Sequence, residues 1–215
     1  MRVRSDLVVL VADKNMEAAV QGLLGRCSAL HIRPIRWKII VHPERDPGCL
    51  KRGHELLRSM SRDYTHALIV FDNVGCGQEN RSTDELESIV NGHLSRSGWE
   101  ARAGAVVIHP ELEAWVWADS HEVGRCLGWR ADTQELREWI SDKGFWPEDK
   151  AKPNDPKAAL DLTLRKLKRP RSSSIYRQLA QTVSFQQCMD PAFLRFRTLL
   201  HTWFSQEDAA GYLTN

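Results

Sequence analysis

The chain has no run of eighteen uncharged apolar residues, so it holds no segment fit to cross a bilayer as a helix, and no membrane partner is expected. Its five cysteines, Cys27, Cys49, Cys76, Cys126 and Cys188, are odd in number, scattered and never paired as CxxC. That usage argues against a zinc knuckle and suits a reducing compartment. Ser-His-Asp order, GxSxG, GxGxxG and the P-loop are all missing, which removes the common signatures of acyl transfer and of nucleotide cradling. Net charge is small, +2 at pH 7, and says nothing globally about partners. Its distribution is uneven. Between Ala151 and Arg177 eight basic residues stand against Asp155 and Asp161, which leaves the rest of the chain net acidic. The opening MRVRSDLVVL has an apolar run of only six residues, followed by an aspartate where a leader would carry a small-residue cleavage site. It reads as a first strand, and the protein is expected to be cytoplasmic.

What is present is enough for a substantial core: 215 residues, 42% hydrophobic and 27% charged. Four apolar runs of strand length recur in the first half, LVVLVA from Leu7, IRWKIIV from Ile35, HALIVF from His66 and AGAVVIH from Ala103. The first, third and fourth are nearly continuous, as in strands covered on both faces. Helical stripes lie between them in MEAAVQGLLGR, CLKRGHELLRSM and STDELESIVNGHL. Alternation of this kind predicts an α/β domain over residues 1–120 with a mainly parallel four-stranded sheet flanked by helices. After Ala118 the strand signal ends, and helices are predicted at roughly 133–142, 156–168, 173–181 and 190–204. Residues 121–215 therefore read as a C-terminal helical appendage. The eight tryptophans, five of them at 115, 117, 129, 139 and 146, are expected mostly at the seam between the two halves.

In open parallel sheets ligands gather beyond the carboxyl ends of the strands. Here those ends read Asp13-Lys14-Asn15, His42-Pro43-Glu44-Arg45-Asp46, Asp72-Asn73 before Gly75-Cys76-Gly77, and His109-Pro110-Glu111-Leu112-Glu113. Every strand delivers a carboxylate to one rim, and acids so placed repel unless a hard divalent cation lies among them. Each has a structural alternative. Asp13 fits a helix N-cap, Asp72 an Asx-turn, and Glu111 the first turn of a helix opened by Pro110, where the dipole favours an acid. Glu113 lies about 200° around that helix from Glu111 and one turn before Trp117, which is hard to explain as surface decoration. Cys76 as a nucleophile and the Gly75-Cys76-Gly77 loop as a phosphate cradle are weak signals.

A second constellation is LRKLKRPRSSSIYRQLA, where Lys168, Arg169 and Arg171 precede a helix headed by Ser172 and Ser173. Cations, hydroxyls and free N–H groups together suit a phosphate; the alternative is a cap beside a solvated basic face. Such a patch would contact phosphates without reading bases.

The strand ending in Asp13, the later LIVFD and the segment IHPELEAWVWAD resemble Toprim-like proteins of the OLD and RloB type, with Asp13, Asp72, Glu113, Trp115 and Asp119 at the matching positions. The resemblance implies a Toprim-like sheet and Mg²⁺ or Mn²⁺ held by Asp13, Asp72 and Glu113, with Lys14 as an added cation beside the reacting phosphate. The fuller pattern, through VHPERDPGC, FDNVGCGQE and PRSSSIYRQLA, is similar to the family of the fourth accessory protein of bacterial methylation-associated defence systems, which act against phage. That similarity implies other subunits of such a system as partners and little about chemistry; nucleic acid is the ligand that the basic segment would suit. Two departures matter. The first acid is Asp13 where Toprim enzymes usually carry Glu, and the second aspartate of their DxD falls on Val74, leaving Asp46 or Glu79 as substitutes. The missing ligand favours a binding subunit with a degenerate acidic site over the alternative, a Mg²⁺-dependent phosphodiester or nucleotide hydrolase.

Overall fold

The four apolar runs become β1 (Ser5–Val11), β2 (Trp37–Val41), β3 (Tyr64–Asp72) and β4 (Ala103–Ile108), all parallel, in the order β2-β1-β3-β4. A computed structural model describes residues 4–130, 132–186 and 188–206. The central strands β1 and β3 are buried from Leu7 to Val11 and from Ala67 to Phe71, which is why their sequences do not alternate. β2, at one edge, is only half-buried.

Helices α1 (Lys14–Leu24), α2 (Arg45–Arg58) and α3 (Thr83–Leu94) alternate with the strands. Asp13 caps α1, and Ser82 with Glu85 forms a reciprocal capping box on α3. α2 begins at Arg45, ahead of the apolar stripe that starts near Cys49, because Pro47 occupies a first turn where a missing N–H costs nothing. Asp46 is thereby a helical residue and not a loop residue. α2 covers one face of the sheet, where a Cβ on Gly53 would stand 2.8 Å from Ile69 Cδ1.

The second half contains α4 (Glu122–Leu127), α5 (Thr133–Asp142), α6 (Pro156–Lys166), α7 (Ser173–Thr182) and α8 (Pro191–Phe204). The last four match the spans read from the sequence, while α4 is too short to show a period. α8 covers the other sheet face: Gly104, which pairs with Leu68, would bring a Cβ to 2.8 Å from Leu199 Cδ1. α7 lies against α1 so closely that a Cβ on Gly22 would come 2.6 Å from Ala180 Cβ. The edge of β4 is closed by two side chains. Glu87 of α3 accepts from the Val107 N–H at 3.0 Å, and Arg195 of α8 donates to the Ala105 carbonyl at 3.1 Å. The two side chains meet at 2.6 Å, so no ladder edge is offered there for another strand. Tryptophans do form much of the seam: Trp115 packs on Phe193 and Phe196 of α8, and Trp117 lies edge-on to Trp146.

The helix expected after Pro110 is not an α-helix. The His109–Pro110 bond is cis, and only one 3₁₀ turn, Leu112–Trp115, follows. The segment is held by tertiary bonds: Val74 N–H donates to the Pro110 carbonyl at 3.0 Å, and Trp115 Nε1 donates to Asp190 at 3.0 Å. Glu111 precedes the turn and pairs with Lys157 at 2.6 Å.

Candidate carboxylate site at the strand ends

The strand order places the switch point of the sheet between β1 and β3, because the chain leaves β1 toward one edge and β3 toward the other. Asp13 follows β1 there and Asp72 ends β3. Asp13 is a cap in fact, with Oδ1 accepting from the Asn15 and Met16 N–H groups at 2.9 Å each. Asp72 is not an Asx-turn. It is the last ladder residue of β3, opposite Ile108, and its Oδ1 is enclosed without a hydrogen-bond partner. Its own N–H donates to Asp46 Oδ1 at 2.8 Å, which ties the first turn of α2 to the end of β3. Burial pushes the Asp72 carboxyl well above the usual carboxylate range, reinforced by the charges of Asp46, Glu113 and Asp13. The Asp46 carboxyl is also raised, by burial first and by Asp13 among its neighbours.

Glu113 is 4% exposed and reaches this group from the 3₁₀ turn. Its Oε1 accepts from Arg171 Nη1 at 2.8 Å and from the Tyr176 hydroxyl at 2.6 Å. The other arm of Arg171 donates to Asp161 Oδ1 at 2.7 Å. Burial, and then the Glu113 charge, push the Tyr176 phenol far up, so it stands as a neutral donor. The site is thus four carboxylates around the switch point, with one guanidinium and one phenol reaching in from the beginning of α7.

Other candidates fall elsewhere. Lys14 is 74% exposed and pairs with Glu17 at 2.7 Å, turned to solvent. Asp119 is exposed, and Trp115 is spent on α8 and Asp190. Glu79 Oε1 accepts from the N–H groups of Gly75 and Gly77 at 3.0 Å each, so those loop amides are already used. Cys76 is buried and its thiol pKa is raised by that burial, against a nucleophile. His42 caps its own turn, its Nδ1 accepting from the Glu44 N–H at 3.0 Å. His109 Nδ1 pairs with the buried Asn73 at 3.0 Å.

Four of the five basic-segment residues are spent on different partners. Arg171 is at the carboxylates. Arg169 donates to the Cys126 carbonyl at 3.1 Å over Gly128, whose φ of 89° and lack of a Cβ admit it. Lys168 is exposed; Ser172 and Ser174 share a hydroxyl pair at 2.8 Å, and Ser173 donates to Asn15 at 2.9 Å. Sequence reasoning named Asp46 only as a substitute and missed Tyr176 and Asp161. Tyr176 carries one faint signal, as one of only three tyrosines, set on the apolar stripe of a helix.

Among the described residues no group of three or more His, Cys, Asp or Glu side chains stands in metal-holding geometry. The donor chemistry nevertheless fits a hard cation, since all four groups are carboxylates and Asp72 keeps a buried oxygen with no partner. Comparison with protein families, curated proteins and solved structures returned no match.

Proposed function

We propose that the chain binds Mg²⁺ or Mn²⁺ at the strand-end carboxylates and acts there on a phosphate ester, within an assembly of the antiphage kind that its sequence resembles. The observation that carries this reading is the enclosed, unpartnered Oδ1 of Asp72 amid the charges of Asp46, Glu113 and Asp13. A buried carboxylate left so is costly unless a cation joins it. Asp13, Asp46, Asp72 and Glu113 would hold the ion, with Asp46 supplying the oxygen that Val74 cannot. When bound, such an ion neutralises phosphate charge and lowers the pKa of a coordinated water. Arg171, bonded to Glu113 and Asp161, would hold Glu113 at the rim. Tyr176 keeps Glu113 oriented and, as a neutral phenol, holds its proton at Oη.

Calorimetric titration with Mn²⁺, alongside cleavage assays on DNA, RNA and nucleoside triphosphates, tests this. Wild type is expected to bind the ion and to cleave one of these substrates, and Asp72→Asn to do neither. Binding that survives both Asp72→Asn and Asp46→Asn would overturn the assignment.

A second reading, a non-catalytic binding subunit, is favoured by one contact: Glu113 Oε1 is already held by both Arg171 and Tyr176. On that reading Asp72→Ala leaves phage protection intact.

A further inference from the structure

At the opposite edge of the sheet, where the strands begin, the turn between α2 and β3 and the segment between α3 and β4 line an open cavity of about 630 Å³. Three arginines, Arg58, Arg62 and Arg96, and three serines, Ser59, Ser61 and Ser97, line it. None of the three guanidinium groups makes an ion pair or donates a hydrogen bond among the described residues. The one acid among the described lining residues, Glu55, pairs with Arg52 at 3.2 Å.

The walls are fixed by one residue. Arg102 donates to the carbonyls of Tyr64 at 3.2 Å, Thr65 at 2.9 Å and Gly98 at 3.0 Å, clamping both segments together, and its guanidinium lies 5.1 Å from the Trp99 ring centre. Trp99 Nε1 adds a bond to the Leu57 carbonyl at 3.2 Å. The cavity is therefore preformed and its cations are free to take an anion. Arg62 also lines a second cavity of about 250 Å³, together with Arg4, Lys38 and one acid, Asp63, so the basic lining continues from the first cavity into the second through Arg62.

We propose that this basic track binds the phosphodiester backbone of a nucleic acid. Guanidinium forks and hydroxyls are phosphate donors. Among the described residues the lining of the first cavity includes no aromatic ring to stack on a base. The continuation past Arg62 suits a polymer with phosphates in series better than one free phosphate group. Arg58 also sits in the last turn of α2, where a cation complements the helix dipole. That role would explain one arginine and not Arg62 or Arg96. The site is separate from the carboxylates and independent of their function.

The test uses the full chain in EDTA, so that no cation bridges ligand and carboxylates. Fluorescence anisotropy reads binding of a labelled oligothymidylate, and calorimetry reads inorganic tripolyphosphate. Wild type is expected to bind the oligonucleotide with strong salt dependence and tripolyphosphate weakly. The charge reversal R58E/R62E/R96E is expected to lose that binding, and R165E/K166E, on exposed positions of α6, to keep it. A partial variant, Arg62→Ala with Arg96→Ala, should lower the salt slope by roughly 1.4, since each single-strand phosphate contact contributes about 0.7. Arg62→Glu alone weakens binding in the same direction and stands in if the triple variant does not fold. Equal binding by wild type and a folded charge-reversed variant, equal loss in R165E/K166E, or binding of tripolyphosphate without the oligonucleotide would each overturn the proposal.

Discussion

Two partly buried ionisable side chains on β3 respond to their surroundings in opposite senses. His66 stacks on Trp203, with ring centres 4.9 Å apart, and meets Phe204 edge-on, so its imidazole has little solvent to stabilise a charge. Burial, with Arg102 and Arg33 nearby, holds its pKa at about 4, down from 6.5. The unfolded chain thus binds a proton in this window that the folded chain refuses, and stability is lost as pH falls from 6.5 toward 4. His66→Phe keeps a ring and is expected to flatten that acid limb by about 1–2 kcal/mol, after discounting for the ring's partial exposure. A denaturation series across this pH range in which both proteins lose stability in parallel would refute it. Asp72 runs the other way. Its raised pKa means the folded chain keeps a proton that the unfolded chain has released, so stability falls as pH rises above the ordinary carboxylate value. In EDTA at neutral pH, Asp72→Asn is therefore expected to stabilise the protein, by about 1–3 kcal/mol, the usual cost of a buried group without its partner. A lowered melting temperature would contradict this.

At the scale of elements, the position of α7 decides what Glu113 can bond. α7 carries Arg171 at its approach and Tyr176 in its second turn, and it approaches α1 only because Gly22 has no side chain. Gly22→Leu must push α7 outward against Ala180 and the Arg177 carbonyl, so it is expected to cost more than 2 kcal/mol and to loosen both bonds to Glu113. Urea denaturation gives the first effect. The second should appear as a changed cation affinity, and unchanged values for both would argue against this linkage. The sequence shows α5 to α8 because their apolar stripes keep a helical period, and it shows β1, β3 and β4 because buried strands run continuously apolar. It does not show the 3₁₀ turn at Leu112–Trp115, whose cause is tertiary: the Val74 N–H holds the Pro110 carbonyl just before it, and Asp190 holds the Trp115 indole at its end. The same limit hid the site's later half. Asp13, Asp72 and Glu113 were legible from strand ends, whereas Arg171 and Tyr176 meet Glu113 from about sixty residues away, and no local pattern marks that meeting.

For the whole molecule, the halves before and after residue 120 differ in pattern yet share one apolar cluster, which runs from Leu7 through Val107 to Leu160, Tyr176, Phe196 and Phe204. Residues 1–120 alone would leave the α1 face bare where α7 packs and the sheet face bare where α8 lies over Gly104. Two carboxylates would also lose their partners. Glu113 would be left without Arg171 and Tyr176, and Glu87 without Arg195, each removal costing about 3–5 kcal/mol if the acid stays buried. Together those two losses, about 6–10 kcal/mol, are of the same size as the whole stability of an ordinary domain, about 5–15 kcal/mol. The chain is therefore expected to unfold in one cooperative step, with tryptophan fluorescence and far-ultraviolet circular dichroism giving the same midpoint in urea. The fragment 1–120, expressed alone, is expected to be unfolded or aggregated. Two separated transitions, or a soluble fragment with a cooperative melt of its own, would show that the strand-end acids are held by the sheet half without help from α7 and α8.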